Sequence, residues 1–493
     1  MRKVRKQDIG YEDGTLGTED QVYIGDAHED MIGIRVYYNC LDRQMERLMQ
    51  TFFLGFCILR PFPWSPLVAC KTSHSPVTVQ KLYNFRAKHR SISQSLVAMN
   101  STITLPEGDS PTLALVHPTK EEQLIQSKLN GAEWRGALSP SAYLRRETTL
   151  SQQALTKDGG ITYWILVDTA LENNPLDPES GTRLPLASCE TYRKKALVWR
   201  DGIVQEAVSH GIGSVFCGQY LRKRGYAQRM MKELGKTLRT HQADESECLF
   251  TILYSDIGKK FYADMGWEPF RSSHIALPAS SAAPPANLPT ARPLYADDLS
   301  ELCRMDEELI SRSLKSRTQG SKTAVALVPD LETIQWHHAR EEFVGQEVHG
   351  KVPEVKGAIV GDEAGKRVWC YWTRVWYNED ASIAKGNTMH ILRLVVEEDV
   401  LGHANVGEGD GRSAAIAALL AFAQREAEQW KTEHVELWNP SAPAVVGARM
   451  LDRSAEVIDR DAESIASLLW HPEHEGAAAD HIDWISNEKY AWC

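Results

Sequence analysis

The chain has 493 residues, 43% of them hydrophobic and 25% charged, ordinary proportions for a folded protein with more than one sizeable core. A net charge of −11 argues against a general nucleic-acid partner, which needs a basic surface. The nine cysteines are scattered without a CxxC pair, so they are read as reduced, mostly buried thiols of a cytoplasmic protein.

In chain order, the basic start at Arg2, Lys3, Arg5 and Lys6 is followed by acidic and polar residues, unlike a secretory signal. The apolar run from Phe52 to Leu59 is far shorter than the roughly 20 residues of a membrane span, so no membrane association is expected. Residues 1–109 carry no sustained period and are read as a poorly patterned, disordered extension. Met99 stands just before regular patterning begins and is a candidate true start.

Residues 110–277 read as one domain. Thr119 with Glu122 forms a capping box before a helix carrying Leu124, Ile125 and Leu129, and Ser139-Pro140 opens a second helix. Strands follow from Ile161 to Val167, Leu184 to Trp199 and Ile203 to Cys217, the last two joined by an Asp201-Gly202 hairpin turn. Ala227, Met230, Met231, Leu234 and Leu238 then make the apolar stripe of a helix. A strand Leu249 to Leu253, a short helix ending at Gly266 and a last strand Trp267 to Ile275 complete the unit.

The Pro/Ala/Ser-rich stretch 278–293 reads as a linker to a C-terminal domain over 294–493. There Asp297 caps a helix. Strands are expected at Arg367 to Tyr377, His390 to Val396 and Val435 to Trp438, with a helix from Ser413 to Trp430 and a terminal Trp484 to Trp492 strand. This order repeats that of the first unit and suggests a diverged second copy.

The segment between Ser214 and Ala227 carries the most chemistry. A buried strand feeds a basic, glycine-containing loop that opens directly into an amphipathic helix. Unpaired amides and the helix dipole make such a junction an anion site. Gly225 and Ala227 allow close backbone approach, and Arg222, Lys223 and Arg224 add charge. These residues by themselves identify an anion site, or a solvated basic helix end, and no more.

Arg222, Gly225 and Ala227 at this strand-to-helix junction resemble the signature of the GNAT acyl-CoA N-acyltransferases, and Phe261-Tyr262 with Gly266-Trp267 resembles that superfamily's helix end. Trp134-Arg-Gly-Ala-Leu, the segments 160–168 and 188–191, and the segment 254–262 narrow the resemblance to the fungal lysine N6-acetyltransferases over roughly residues 110–493. The resemblance implies an α/β (α+β) GNAT fold, with a mixed central sheet flanked by helices and a C-terminal domain that reads as a degenerate GNAT-like copy. It implies acetyl-CoA as co-substrate, bound by Phe216, Cys217, Arg222, Lys223, Arg224, Gly225, Tyr226 and Ala227. It also implies a small-molecule amine acceptor, first of all the side-chain amine of free L-lysine in lysine catabolism. Another amine, a peptide lysine, or a non-catalytic CoA-binding scaffold are the competing readings.

An amine attacks a thioester only when neutral, so a lysine with reference pKa near 10.4 needs a base or a desolvating pocket. The resemblance places oxyanion-binding amides around Phe216 and Cys217. It makes Tyr262 the proton donor to the leaving CoA thiolate, against the alternative of a packed aromatic. His210 is a candidate base or a structural strand histidine. Glu190 suits a cationic substrate or is a solvated strand-end carboxylate. Asp256 contacts substrate or cofactor, or with Ser255 caps a helix. Cys217 lies near the expected thioester position, though the superfamily favours direct transfer over an acyl-cysteine. No metal-ligand spacing is present, and His337 and His338 are expected on different sides of a helix. The acidic Glu408 and Asp410 stand where a second cofactor loop would lie, so a single acetyl-CoA site per chain is expected. The sequence leaves oligomeric state open.

Overall fold

A computed structural model of the protein describes residues 104–243, 247–397 and 411–492. The extension up to residue 103 and the acidic residues Glu408 and Asp410 lie outside them.

Strand β1 (Leu113–Val116) leads to helix α1 (Lys120–Trp134), opened by the expected capping box in which Thr119 and Glu122 exchange side-chain-to-amide hydrogen bonds. Ser139 Oγ accepts from the Ala142 amide and so caps α2 (Pro140–Ser151), with proline at its first turn. The inward face of α1 is the reverse of the apolar pattern. Leu124 and Leu129 are exposed, whereas Gln126, Asn130 and Gly131 are buried. The physical reason is a polar target, since Gln126 Nε2 donates to the Cys189 carbonyl on the neighbouring sheet.

Strands β2 (Ile161–Asp168), β3 (Ala187–Arg200) and β4 (Ile203–Phe216) form an antiparallel meander. Asp201 at φ 53 and Gly202 at φ 87 make the tight turn between the last two, with both central residues left-handed as the strand twist requires. The chain then crosses through α3 (Tyr226–Leu238) to β5 (Cys248–Ser255), parallel to β4. Met230, Met231, Leu234 and Leu238 are fully buried, which makes the helical stripe the seam against the sheet.

The expected last strand at 267–275 divides in two. Strand β6 (Glu268–Pro269) stays with the first sheet, and β7 (Ser273–Pro278) joins a second one. The second sheet also contains β8 (Ala291–Leu294), β10 (Gly357–Val360), β11 (Val368–Val375), β12 (Thr388–Val396), β13 (His434–Trp438) and β14 (Ile458–Asp459). The Pro/Ala/Ser-rich residues 279–290 therefore connect two strands of one sheet, and the chain passes between sheets earlier, at 270–272.

Along its main path the first sheet runs β1-β2-β3-β4-β5-β15-β6, where β15 is Ile465–Trp470. The second runs β8-β10-β11-β12-β13-β7-β14. The two orders correspond strand for strand. Each has one parallel pair, β4/β5 or β12/β13, and α7 (Gly411–Gln429) lies between β12 and β13 in the chain as α3 lies between β4 and β5. Each sheet also takes its sixth strand from the other half of the chain. The fold is a mixed α/β arrangement of two sheets of corresponding strand order that exchange a strand.

Strand β9 (Thr323–Leu327) pairs with the far end of β3, and β16 (Ile482–Trp484) pairs with β9. Helix α5 (Leu299–Lys315) precedes β9. It is preceded by a short turn in which Asp298, not Asp297, accepts from the Tyr295 amide. Helix α6 (Leu331–His349) follows β9 and buries both His337 and His338, whose Nε2 atoms lie 3.0 and 3.1 Å from the carbonyls of Tyr490 and Trp372. In place of a terminal strand there is a single 3-10 turn, Lys489–Ala491, with Tyr490 and Ala491 fully buried.

Candidate active site

Strands β4 and β5 are paired from Val208/Cys248 to Ile212/Leu253 and then part. Beyond that point β4 bulges. Gly213 faces Glu190 and Phe216 faces Ser188 across β3, so Ser214 and Val215 stand opposite the single residue Cys189, with Ser214 at φ 50. Strand β5 remains held on its other edge by β15 through Ser255. A V opens in the sheet, and among the described residues the backbone of 213–216 has no strand partner on the β5 side.

The mouth of the V leads into the basic loop. Gly225 at φ 80 is the N-cap of α3, and no side chain caps that end, so its first amides are left for another acceptor. Lys223 is also left-handed, at φ 67. Arg222 folds back, its Nε donating to the Cys217 carbonyl at 3.0 Å. Arg224 donates to the Leu105 carbonyl at 3.3 Å and lies 3.6 Å from Glu107. Tyr226 turns its ring inward and donates its hydroxyl to Pro106, so only its backbone faces the loop. Gly108 presses on this turn, its amide 2.7 Å from the Arg224 carbonyl, where a Cβ would come within 2.6 Å of that oxygen. Beside the turn lies an open depression of about 520 Å³ edged by the cations Arg224, Arg229 and Lys232, the acids Glu107 and Asp109, and Gly108, Gly225 and Gln228. A left-handed glycine, an uncapped helix and three adjacent cations fit a pyrophosphate.

On the sheet face that carries Glu190 and Tyr192, the chemistry is acidic. Glu190 is 4% exposed, and its Oε2 accepts from Tyr192 Oη and from Ser214 Oγ, both at 3.1 Å. Burial first, and then the Glu147 carboxylate, push its pKa up to about 7. Glu147 is held by Arg146 at 2.6 Å, and the Arg146 guanidinium lies 4.7 Å from the Tyr143 ring centroid. Tyr192 meets Trp336 of α6 edge-on at 5.6 Å, so the second half of the chain helps wall this site.

His210 stands apart from this group. It pairs with Thr251 where β4 and β5 are still joined, is fully buried, and donates Nε2–H to the His241 carbonyl at 3.0 Å. Burial brings its pKa down to about 4. Tyr262, in the short helix α4 (Lys260–Ala263) after β5, is 8% exposed within the apolar cluster that includes Cys189, Ile212 and Leu253. Burial raises its phenol pKa, with Cys189 and Asp256 adding to the effect. Gly266, at φ 101, ends that turn, and the following Trp267 is fully buried. Phe216 meets Trp134 of α1 edge-on at 6.3 Å. Cys217 donates its thiol to the Leu186 carbonyl at 3.3 Å, and burial raises its pKa. Asp256 is exposed and accepts from the Ser464 amide at 2.9 Å. Among the described residues no His, Cys, Asp and Glu side chains are grouped to hold a metal.

Arg146, Glu147 and Tyr192 escaped the sequence reading because tertiary packing alone brings them to Glu190. Gln126 and Asn130 did leave a signal, as polar residues four apart on one helix face. Both are buried, and among the described residues neither polar atom of the Asn130 carboxamide has a partner.

Residues 274–493 match the family described as LYC1 GNAT-like C-terminal domain. Over 400 residues the chain is 23% identical to a lysine acetyltransferase of Yarrowia lipolytica, covering 73% of this chain and 95% of that protein. It is 21% identical over 400 residues to an uncharacterized protein of Saccharomyces cerevisiae, covering 74% and 93%. Among solved structures, a GCN5-related N-acetyltransferase from Anabaena variabilis aligns with a TM-score of 0.40 at 13% identity over 72% of each chain. Saccharomyces cerevisiae N-myristoyltransferase with bound myristoyl-CoA aligns with a TM-score of 0.43 at 10% identity over 76% of this chain and 82% of that one.

Proposed function

We propose that the protein transfers an acetyl group from acetyl-CoA to a primary amine, the side-chain amine of free L-lysine, by direct attack through a tetrahedral intermediate. The observation that carries this reading is the V between β4 and β5, with the uncapped helix α3 at its mouth and the buried Glu190 carboxyl beside its bulge. The Yarrowia relative named lysine acetyltransferase supports the choice of acceptor.

In this reading the first amides of α3 and the side chains of Arg222, Lys223 and Arg224 hold the pyrophosphate, and the amides of Phe216 and Cys217 receive the thioester oxygen as it becomes negative. Glu190 takes the proton from the incoming ammonium. A carboxyl with pKa about 7 suits that task at neutral pH, whereas His210 is sealed upstream of the V. Tyr262 keeps its proton because burial disfavours the phenolate; it delivers that proton to the departing thiolate and is reprotonated by the second proton that the nitrogen loses as the tetrahedral intermediate collapses. Cys217 has its thiol committed to Leu186, which favours direct transfer over an acyl-cysteine.

The test is purified protein with acetyl-CoA and a panel of amines, following release of the CoA thiol. Fastest release with L-lysine is expected. Release above background with none of the amines would leave a CoA-binding scaffold, and preference for a lysyl peptide would replace the free amino acid.

A further inference from the structure

Two cations close to this site have no role in the chemistry above. Lys489, in the C-terminal 3-10 turn, is 6% exposed, and its ammonium lies 4.3 Å from the Trp438 ring centroid and 4.0 Å from that of Trp492. Arg340 of α6 is half-buried, with its guanidinium 5.6 Å from the same Trp492 ring. Neither cationic side-chain group makes a hydrogen bond or ion pair among the described residues. An aromatic face offers much less than it costs to take an ammonium out of water.

The nearby acids are occupied elsewhere. Glu436 accepts from Trp438 Nε1 and lies 3.8 and 3.7 Å from His390 and His434. Asp256 accepts from the Ser464 amide, and Glu488 is bound by Arg393 and the Leu394 amide. Burial pushes the Lys489 ammonium down to about 7 and lowers Arg340 as well, a strain that an anion would relieve.

Arg340 connects this pair to the acidic site. Arg340 is one turn along α6 from Trp336, about 6 Å by the helical rise. Trp336 packs on Tyr192, which donates to Glu190. Arg340 feels the charges of Arg146 and Glu147, and Lys489 feels that of Arg340. Glu190 is thus linked through Tyr192 and Trp336 to the helix that carries Arg340, and Arg340 shares the Trp492 ring with Lys489, so a negative and a positive pole stand on one chain of contacts.

We infer that Lys489 and Arg340, with the Trp492 ring beside them both, form a subsite for the carboxylate of the acceptor, so that the acceptor is an amino acid and not a simple amine. This rests on the reading of Glu190 as the amine end of the site. Both residues belong to the C-terminal half, which thereby supplies the carboxylate end of substrate recognition.

The test compares L-lysine with cadaverine, which keeps the amine and lacks the carboxylate, in the wild type and in Lys489→Met and Arg340→Gln. The wild type should prefer lysine by at least about tenfold in kcat/KM, and each variant should reduce that preference by about tenfold, in KM for lysine more than in kcat. Melting temperature and acetyl-CoA affinity check that the variants fold. If the buried Lys489→Met does not fold, the half-exposed Arg340→Gln carries the comparison. Calorimetric binding of L-lysine separates the two readings. Lysine binding that the variants lose, with no acetyl transfer in the wild type, would sink the transfer reaction and leave the subsite standing. Folded variants with unchanged lysine binding and an unchanged lysine-to-cadaverine ratio would overturn the subsite.

Discussion

Glu190 owes its ionisation to where β3 places it. Two hydroxyls, Tyr192 and Ser214, stabilise its charged form, while burial and Glu147 oppose that charge more strongly and leave the pKa at about 7. Arg146 on α2 acts in the same direction as the hydroxyls. Activity that needs the carboxylate therefore falls as pH drops through 7. For the wild type kcat/KM should rise with an apparent pKa near 7, and Glu190→Gln should lower it by about 10²–10⁴ and abolish that limb, leaving the ionisation of the amine near 10.4. The sign for stability is the opposite. A folded-state pKa raised above the unfolded value gives stability below about 4.5 that is lost as pH rises through 7. The Gln variant should therefore gain melting temperature relative to the wild type between those two pH values. A retained limb near 7 in Glu190→Gln kinetics would move the base elsewhere.

At the scale of elements, the junction from β4 to α3 concentrates most of what the sequence revealed. Its basic loop, its glycine and the apolar stripe after it are local features, so residue order alone was enough to read them. Gly225→Glu tests the junction. At φ 80 a side chain strains the backbone by roughly 1–2 kcal/mol, and a carboxylate then opposes the pyrophosphate at the uncapped amides. Acetyl-CoA affinity measured by calorimetry should fall by at least about tenfold, and unchanged affinity would mean that the anion site lies elsewhere. The Thr119 capping box, the Ser139 cap and the Asp201-Gly202 turn were legible for the same local reason. The bulge at Ser214 and the charge cluster around Glu190 were not, because both depend on partners distant in sequence. Short buried strands such as β9 and β15 have no alternation to show, since both faces are covered. In α1 the hydrophobic pattern even misled, because a carbonyl on β3 attracts Gln126 inward and leaves Leu124 outside.

At the scale of the whole molecule, the exchanged strands tie the two halves together. Only a few residues separate β6 from β7 and β14 from β15, and each of these connections joins a strand of one sheet to a strand of the other. Neither sheet can lose its sixth strand without pulling on the edge of its neighbour. Leu468 of β15 makes this measurable. It is fully buried, opposite Ile252 of β5 and Glu268 of β6, although it belongs to the half that builds the second sheet. Leu468→Ala removes a buried side chain in this position and should cost about 2–5 kcal/mol. If the exchange couples the sheets, hydrogen-exchange protection should fall together in β4 and β5 and in β12 and β13, within one cooperative thermal transition. Independent halves would behave differently, with protection lost in the first sheet and unaltered in the second. That second outcome would show that the exchanged strands are shared in topology without coupling the stability of the two sheets.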